Sequence, residues 1–557
     1  MNLPPGAARA AVLIVSTAAL LVAKLALSAE PPLVAEAGVT VTAEPAAASA
    51  ETSPPARADS LLRAARVHAD EKRFDAAASD LRRALDARPG DRTIGSLLAR
   101  VLSWDRRYDE SIAAYRELLA AHPDDAFDRA GYARVLAWSG RHEESIREFR
   151  RAAAADPTNL ETRIGLARAL SWSGDLPGAA MEYARVRRSN PAYGEAWLGA
   201  ATVARWRGAA TAADRFAAKA AALGADPANL EEERIAIDRA LAPTVTVGWT
   251  TSHETQRASG APDFTIEETG PFGVARATLG RAVGVGVRVA RTQLFETNTR
   301  PAPGDTTRNY DLESRSVRAD ASFLRGYPVQ ASVGGEWRSF DARAAKVLYP
   351  LSGDDAFTGW NARLWAYAGR FTPSLAARRT FVALKGAHPS TGALRFEPGD
   401  LTDVEGTLAW QWNARGTASL FAARGEYSDD NRRDRAGGTV GYRVRAGRPS
   451  LRLDYALAFA DWDFRSPSYF TPLASTRHAG GTTLSGYSDR GAVDWGLRWE
   501  LSHLASSNFE DITANAFSGW LNGTLADRFP VGAEASWSTD DNDYKTWYVA
   551  LYGAVRW

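Results

Sequence analysis

The chain ends Trp547-Tyr548-Val549-Ala550-Leu551-Tyr552-Gly553-Ala554-Val555-Arg556-Trp557. Alternate positions carry Trp547, Val549, Leu551, Val555 and Trp557, with Tyr548, Tyr552 and Arg556 between them. Successive side chains of a strand point to opposite faces, so this segment reads as a strand with one apolar and one polar face. The same alternation recurs upstream. Val493, Trp495, Leu497, Trp499 and Leu501 interleave with Asp494, Gly496, Arg498 and Glu500, and Leu451, Leu453, Tyr455, Leu457 and Phe459 with Arg452 and Asp454. It reaches back through Val283, Val285, Val287 and Val289 to Val245, Val247 and Trp249.

A soluble sandwich alternates too, so three further features decide the architecture. About sixteen such segments follow residue 241. Their connections alternate in length. Tight turns such as Leu279-Gly280-Arg281 and Ser488-Asp489-Arg490 contrast with longer polar stretches, His253 to Gly270, Glu296 to Arg308 and Lys385 to Gly399, which are expected to be loops. Short turns at one end and long loops at the other are the pattern of outer-membrane barrels. The third feature is the terminal strand itself, which ends on an aromatic residue as the assembly signal of bacterial barrels does; Val555 and Trp557 carry that signal here. Lipid satisfies no backbone amide, so the strands must pair into a closed ring. The outward row is apolar. The inward row is expected to include Asn361, Arg363, Trp365 and Tyr367, then Arg443 and Arg445, then Asp494, Arg498 and Glu500. About sixteen strands leave an aqueous lumen. These side chains could contact a hydrophilic chain, or pair with one another to keep the lumen wet.

Before residue 242 the period changes from 2 to 34. Pro89, Pro123, Pro157 and Pro191 are spaced by it, as are Ala65, Ala99, Ala133, Ala167 and Ala201, and Trp104, Trp138, Trp172 and Trp206. LSWDRRYDES at 102–111, LAWSGRHEES at 136–145 and LSWSGDLPGA at 170–179 are one motif. Small residues let two helices approach, the aromatic at Tyr115, Phe149 and Tyr183 lies on the buried face, and proline ends the unit. The pattern resembles the tetratricopeptide repeat, with four good units from 58 to 191 and a degraded fifth to 241. Such units cannot bury their apolar faces alone and stack into a superhelix. In that family two stacked positions usually line the concave groove. They correspond here to Arg66, Arg100, Arg134 and Arg168, and to Trp104, Trp138, Trp172 and Trp206. Flat aromatic faces suit sugar rings and arginine suits hydroxyls or carboxylates. The tryptophans could equally plug the helix turn, and the arginines could sit in salt bridges within the array.

The first segment has one early cation, Arg9, an apolar run from Ala10 to Ala23, and small residues at 26–29. This reads as a signal peptide at 1–29, cleaved after Ser28 or Ala29. An Ala/Pro/Glu/Thr-rich linker at 30–57 follows, then the α-solenoid at 58–241 and the transmembrane barrel at 242–557. The chain of 557 residues has a net charge of +1 and no cysteine. That gives no general field for nucleic acid, and excludes disulfides and thiolate chemistry. The seven histidines are scattered, with no metal-ligand spacing. No phosphate loop or nucleophile elbow occurs, so no catalytic residue, metal or cofactor is expected. Asp429-Asp430 and Asp540-Asp541-Asn542-Asp543 fall at expected outer loops.

Repeats reading LAWSGR and LSWSGD joined to a barrel ending YKTWYVALYGAVRW resemble the YaiO family. The wider architecture is similar to the outer-membrane secretion porins for cellulose and poly-N-acetylglucosamine. The resemblance implies an exopolysaccharide channel whose periplasmic arm guides polymer or docks synthase components. Its other expected partners are outer-membrane lipid, lipopolysaccharide and the barrel assembly machinery. Two other functions fit the same residues: a protein-assembly factor anchored by its barrel, and a passive porin with an accessory arm.

Overall fold

The computed structural model describes residues 54–256, 264–280, 283–298, 309–323, 328–342, 356–387, 394–464, 473–488, 493–507, 509–525 and 528–557. The expected leader, nearly all of the linker, His388 and the Asp489–Arg490 turn lie outside them. The described residues group into two compact units, ending and starting at Ser173 and Gly174.

Eleven helices come first: α1 (Pro54–Asp70), α2 (Phe74–Ala87), α3 (Arg92–Trp104), α4 (Tyr108–Ala121), α5 (Ala126–Trp138), α6 (His142–Ala155), α7 (Leu160–Ser173), α8 (Leu176–Ser189), α9 (Gly194–Trp206), α10 (Ala210–Ala222) and α11 (Pro227–Leu241). The first helix starts four residues before the expected boundary. The turn after each odd helix repeats a left-handed residue at one register: Lys72, Arg106, Gly140, Gly174 and Gly208. Glycine takes that conformation without steric cost, which is why the motif settles on Ser-Gly. The small-residue positions bring helices close enough for Ser111 Oγ to donate to the Ala99 carbonyl at 2.6 Å and Ser145 Oγ to that of Ala133 at 2.7 Å.

Between units the seam is an aromatic against a glycine. A Cβ on Gly131 would meet the Tyr115 hydroxyl at 2.4 Å, one on Gly165 would meet Phe149 at 2.4 Å, and one on Gly199 would meet Tyr183 at 2.3 Å. These glycines recur every 34 residues, at the same period as the prolines and tryptophans. The fifth helical pair, α9 and α10, is complete. The extra helix α11 covers its apolar end, burying Leu230 and Ile237 against Leu198, Ala213 and Ala217. Terminal capping of this kind is what a solenoid requires.

Sixteen antiparallel strands follow: β1 (Thr244–Gln256), β2 (Phe264–Leu279), β3 (Val283–Asn298), β4 (Asn309–Phe323), β5 (Val329–Ala342), β6 (Ala356–Ala366), β7 (Phe371–Ala387), β8 (Leu394–Gln411), β9 (Gly416–Tyr427), β10 (Arg432–Arg445), β11 (Ser450–Trp462), β12 (Ala474–Tyr487), β13 (Val493–Ser506), β14 (Ile512–Leu525), β15 (Phe529–Asp540) and β16 (Lys545–Arg556). Each pairs with its sequence neighbours, and β16 returns to β1, closing the barrel. The closing ladder runs from Thr244↔Arg556 to Thr255↔Lys545, and Trp557 donates its backbone N–H to the Pro243 carbonyl. Val555 and Trp557 point outward and are exposed, at 44% and 64%.

Three stretches expected as loops are partly strand. β1 runs on to Gln256, β2 starts at Phe264, β3 reaches Asn298, and β7 and β8 extend to Ala387 and from Leu394. Backbone pairing continues past the apolar band into polar sequence, because the ladder needs amides and carbonyls and not side-chain type. An alternation of hydrophobicity marks only the part of a strand that lies in the band.

The register assigns the two faces. Inward side chains converge and can reach past one strand, whereas outward ones diverge. Arg435 on β10 bonds Asp403 on β8 at 2.9 Å, Arg498 on β13 bonds Asp454 on β11 at 2.7 Å, and Tyr552 on β16 donates to Asn522 on β14 at 2.5 Å. The opposite row carries Val247, Val289, Leu420, Leu453, Leu497 and Leu551, all exposed. Phe371 and Trp410 stack on that outer face near the end with the tight turns, 5.9 Å apart. An exposed apolar band with aromatics at its margin is the surface a bilayer covers. No described helix is long and apolar enough to cross a membrane.

Candidate functional site

The lumen wall is built by alternation, and each expected residue can be placed. Asn361, Arg363 and Trp365 lie in the inward row of β6, opposite Gly334, Ser332 and Gln330. Gly334 leaves room for Asn361: a Cβ there would sit 2.7 Å from the amide nitrogen. The Arg363 guanidinium lies 5.5 Å from the Trp365 ring centroid. Asp494, Arg498 and Glu500 share the inward row of β13. Arg498 forks onto Asp454 at 2.7 and 3.0 Å and reaches Glu500 at 2.8 Å, while Arg477 bonds Glu500 at 2.5 Å. Asp494 accepts from Trp520 Nε1 and Asn522 Nδ2, both at 3.1 Å. Along this wall the charges answer one another.

Two expected residues sit elsewhere. Tyr367 lies just beyond β6, in the turn to β7, and not in the wall itself. Arg443 faces the lumen opposite Arg452, but a register shift follows it, and Arg445 pairs with Leu451 of the outward row. A bulge adds one residue to one strand, so alternation no longer carries Arg445 inward. A second lumen cluster leaves no mark in the sequence. Asp403, 1% exposed, receives Arg378 at 3.1 Å and Arg435 at 2.9 Å, with Arg433 at 3.6 Å. It joins three strands, and only the register brings these residues together.

In the helical array the four tryptophans are equivalent. Trp104, Trp138, Trp172 and Trp206 are 42%, 41%, 44% and 43% exposed, so none is a buried plug. Each closes an odd helix. Trp104 rests one side on Phe74 at 6.2 Å, and Trp172 on His142 at 6.3 Å, leaving the rest of the indole open. Arg100, Arg134 and Arg168 stand four residues before a tryptophan, on the same helix face. Arg100 lies 5.1 Å from the Trp104 ring centroid. Arg66 is exposed at the start of the series, with Asp70 in place of tryptophan. Among the described residues no ion pair holds Arg66, Arg100 or Arg134. Other arginines of the array form salt bridges, among them Arg107 with Glu110 at 2.8 Å, Arg129 with Glu148 at 2.7 Å, and Arg141 with Glu144 at 2.7 Å.

A profile of the tetratricopeptide repeat matches residues 68–138 and 136–203. Residues 68–203 are tetratricopeptide repeats. Comparison with curated proteins finds no relative. Among solved structures the chain is similar to a bacterial polysaccharide outer membrane secretin, with 12% identity, 57% of this chain and 99% of that one covered, and a TM-score of 0.40. It is also similar to PilW, a type IV pilus biogenesis factor, with 20% identity, 33% and 86% coverage and a TM-score of 0.31. PilF of Pseudomonas aeruginosa gives 17%, 34% and 86%, and 0.30. At such distances function does not travel with fold.

The later repeat helices belong to one compact unit with the barrel, and the contacts are specific. Asp175 caps α8 by accepting from Gly178 N at 3.0 Å, and is 3% exposed. Arg370, in the β6–β7 turn, forks onto it at 2.7 and 2.8 Å. Gln411 Nε2 donates to the Gly174 carbonyl at 3.0 Å. The Arg207 guanidinium covers the Tyr367 ring at 4.6 Å, and burial there lowers its pKa from the ordinary value. Asp175 and Arg370 are 195 residues apart, beyond the reach of any local pattern.

The acidic clusters build turns. Asp430 and Asp543 adopt left-handed backbone, Asp540 accepts from Asn542 N and Tyr544 N at 2.9 Å, and Asp541 from Thr513 N at 3.0 Å.

Proposed function

We propose that this chain is an outer-membrane channel that exports a polysaccharide, with its repeat arm in the periplasm guiding the polymer or docking partner proteins. The turn end of the barrel, where the repeats join, is then periplasmic and the loop end extracellular. The observation that carries this reading is the lumen's mixed lining. Arg363 beside Trp365 and Arg288 over Phe272, 4.6 Å from its centroid, offer aromatic faces and guanidinium donors side by side in the inward row. Sugars present apolar ring faces and a rim of hydroxyls, and such pairs answer both. The repeats supply the same two chemistries, an exposed indole with an arginine one turn away. No catalytic step is assigned to any residue.

The test is glycan secretion from a deletion strain, complemented with the wild-type chain and with Trp104→Ala/Trp138→Ala/Trp172→Ala. The proposal expects secretion to vanish on deletion, to return with the wild-type chain, and to return only partly with the triple variant. Unchanged secretion in the deletion strain overturns it, and the repeat arm would then be screened as a peptide-binding assembly factor.

A further inference from the structure

The lumen's arginines fall into two sets. Toward the loop end and middle they are answered: Arg378, Arg433 and Arg435 by Asp403, and Arg477 by Glu500. Toward the turn end, the inward row holds Arg452 and Arg498, which Asp454 and Glu500 answer, and beyond these Arg276, Arg288, Arg318, Arg363, Arg443 and Arg556, following the register around the ring. Among the described residues none of these six has an ion pair. Two like-charge oppositions occur: Arg288 is the cross-strand partner of Arg318, and Arg443 of Arg452. Like charges directly opposite destabilise a sheet, so stability does not account for the arrangement.

The nearby carboxylates are largely engaged. Glu336, opposite Arg318 on its other side, takes Arg338 at 3.1 Å; Asp454 takes Arg498; Asp494 takes the N–H groups of Trp520 and Asn522. Asp494, whose partners are neutral, Asp320 and Glu534 are left against six arginines. Arg276, Arg288, Arg318 and Arg363 are exposed, so their guanidinium groups stand in lumen water. A wall with an excess of one sign of charge and low-dielectric sides focuses the field and concentrates counter-ions. Guanidinium forks match oxyanions such as carboxylate and sulfate.

We infer that the exported glycan is a polyanion, and that the turn end of the lumen is its intake, with Arg288 and Arg318 as a paired oxyanion site. This rests on the export reading and adds the substrate class. Neutral chains would need only the aromatic faces, and a cationic chain would be repelled.

The test reconstitutes the full chain in planar bilayers. The salt-gradient reversal potential is measured, and then block by oligogalacturonate, dextran sulfate, neutral dextran and chitosan oligomers of matched length. Anion selectivity is expected, with both polyanions blocking about tenfold more strongly than neutral dextran, weakening as salt rises. Oligogalacturonate against dextran sulfate separates carboxylate from sulfate recognition. Arg288→Gln/Arg318→Gln should lose about tenfold in polyanion block. The outward Arg424→Gln, with heat-modifiable gel migration as the folding check, should leave block unchanged. Cation selectivity, equal block by neutral dextran, or an unaltered double variant overturns the inference. Loss of a neutral or cationic glycan on deletion, without polyanion block, overturns the anion assignment while export stands. Polyanion block with unchanged secretion on deletion overturns export while the lumen remains an anion site. A folded barrel that does not conduct overturns both.

Discussion

The repeats and the barrel are held together by different parts of the chain. In the repeats, side chains do the holding: Leu81, Ile94, Leu136, Phe149, Ile164 and Val186 are all under 2% exposed. Among the largest fully buried side chains described, only Leu312 and Asn431 belong to the barrel. There the backbone does the holding, through a ladder that closes from β1 to β16. A barrel therefore leaves both of its faces chemically free. One row meets lipid, and the other can carry arginines that face each other across a strand pair, an arrangement a packed core would not tolerate.

The largest effect is expected from a single truncation in the repeats. Phe149→Ala removes an aromatic wedged on Gly165 and should cost the array about 3–5 kcal/mol, read as the midpoint of helix loss in urea. A cost below about 1 kcal/mol would mean the array is not held by this seam. Next comes the joint. Asp175→Ala leaves Arg370, itself partly exposed, without its carboxylate and unbinds the first turn of α8; about 2–3 kcal/mol is expected, with coupling to Arg370→Ala in a double-mutant cycle. Additive single effects would show that the fork contributes nothing.

Within the barrel, the two arginine sets should separate. Arg498→Gln abandons Asp454 and Glu500 and should cost about 1–2 kcal/mol in the unfolding midpoint of the detergent-solubilised barrel. Arg288→Gln relieves a like-charge opposition and should change it by no more than about 0.5 kcal/mol. Equal losses would contradict the division of the lumen. The smallest effect belongs to His142, which burial holds below its ordinary pKa of 6.5. A lowered folded value means that the unfolded chain takes the proton first. Stability present above 6.5 is therefore lost as pH falls below it. His142→Asn should flatten that part of the array's pH profile, and an unchanged profile would show that His142 does not set it.

Much of this was legible in sequence because both architectures are periodic. Proline, alanine and tryptophan at a 34-residue period fixed the repeats, and alternation counted the strands. What escaped is what periodicity cannot carry. The Arg443/Arg445 bulge breaks alternation without a sequence mark, so Arg445 was expected in a lumen that it leaves. Strand ends beyond the apolar band read as loops because polar residues hide a ladder made of backbone. The Asp403 cluster and the Asp175–Arg370 fork need a register and a tertiary approach. The Gly131, Gly165 and Gly199 series was in plain view, at the same period as the tryptophans.

Passage of a glycan through the lumen can be followed by site-specific labelling, because the chain has no cysteine of its own. Ser536, exposed and in the inward row of β15, is replaced by cysteine, with the outward Trp537→Cys as the lipid-facing control. Labelling by a water-soluble maleimide is then timed in cells that synthesise the glycan and in cells that do not. Rapid labelling is expected at 536, little at 537, and slowing at 536 only while glycan is being made. Labelling at 536 that is indifferent to glycan synthesis would contradict passage through the lumen.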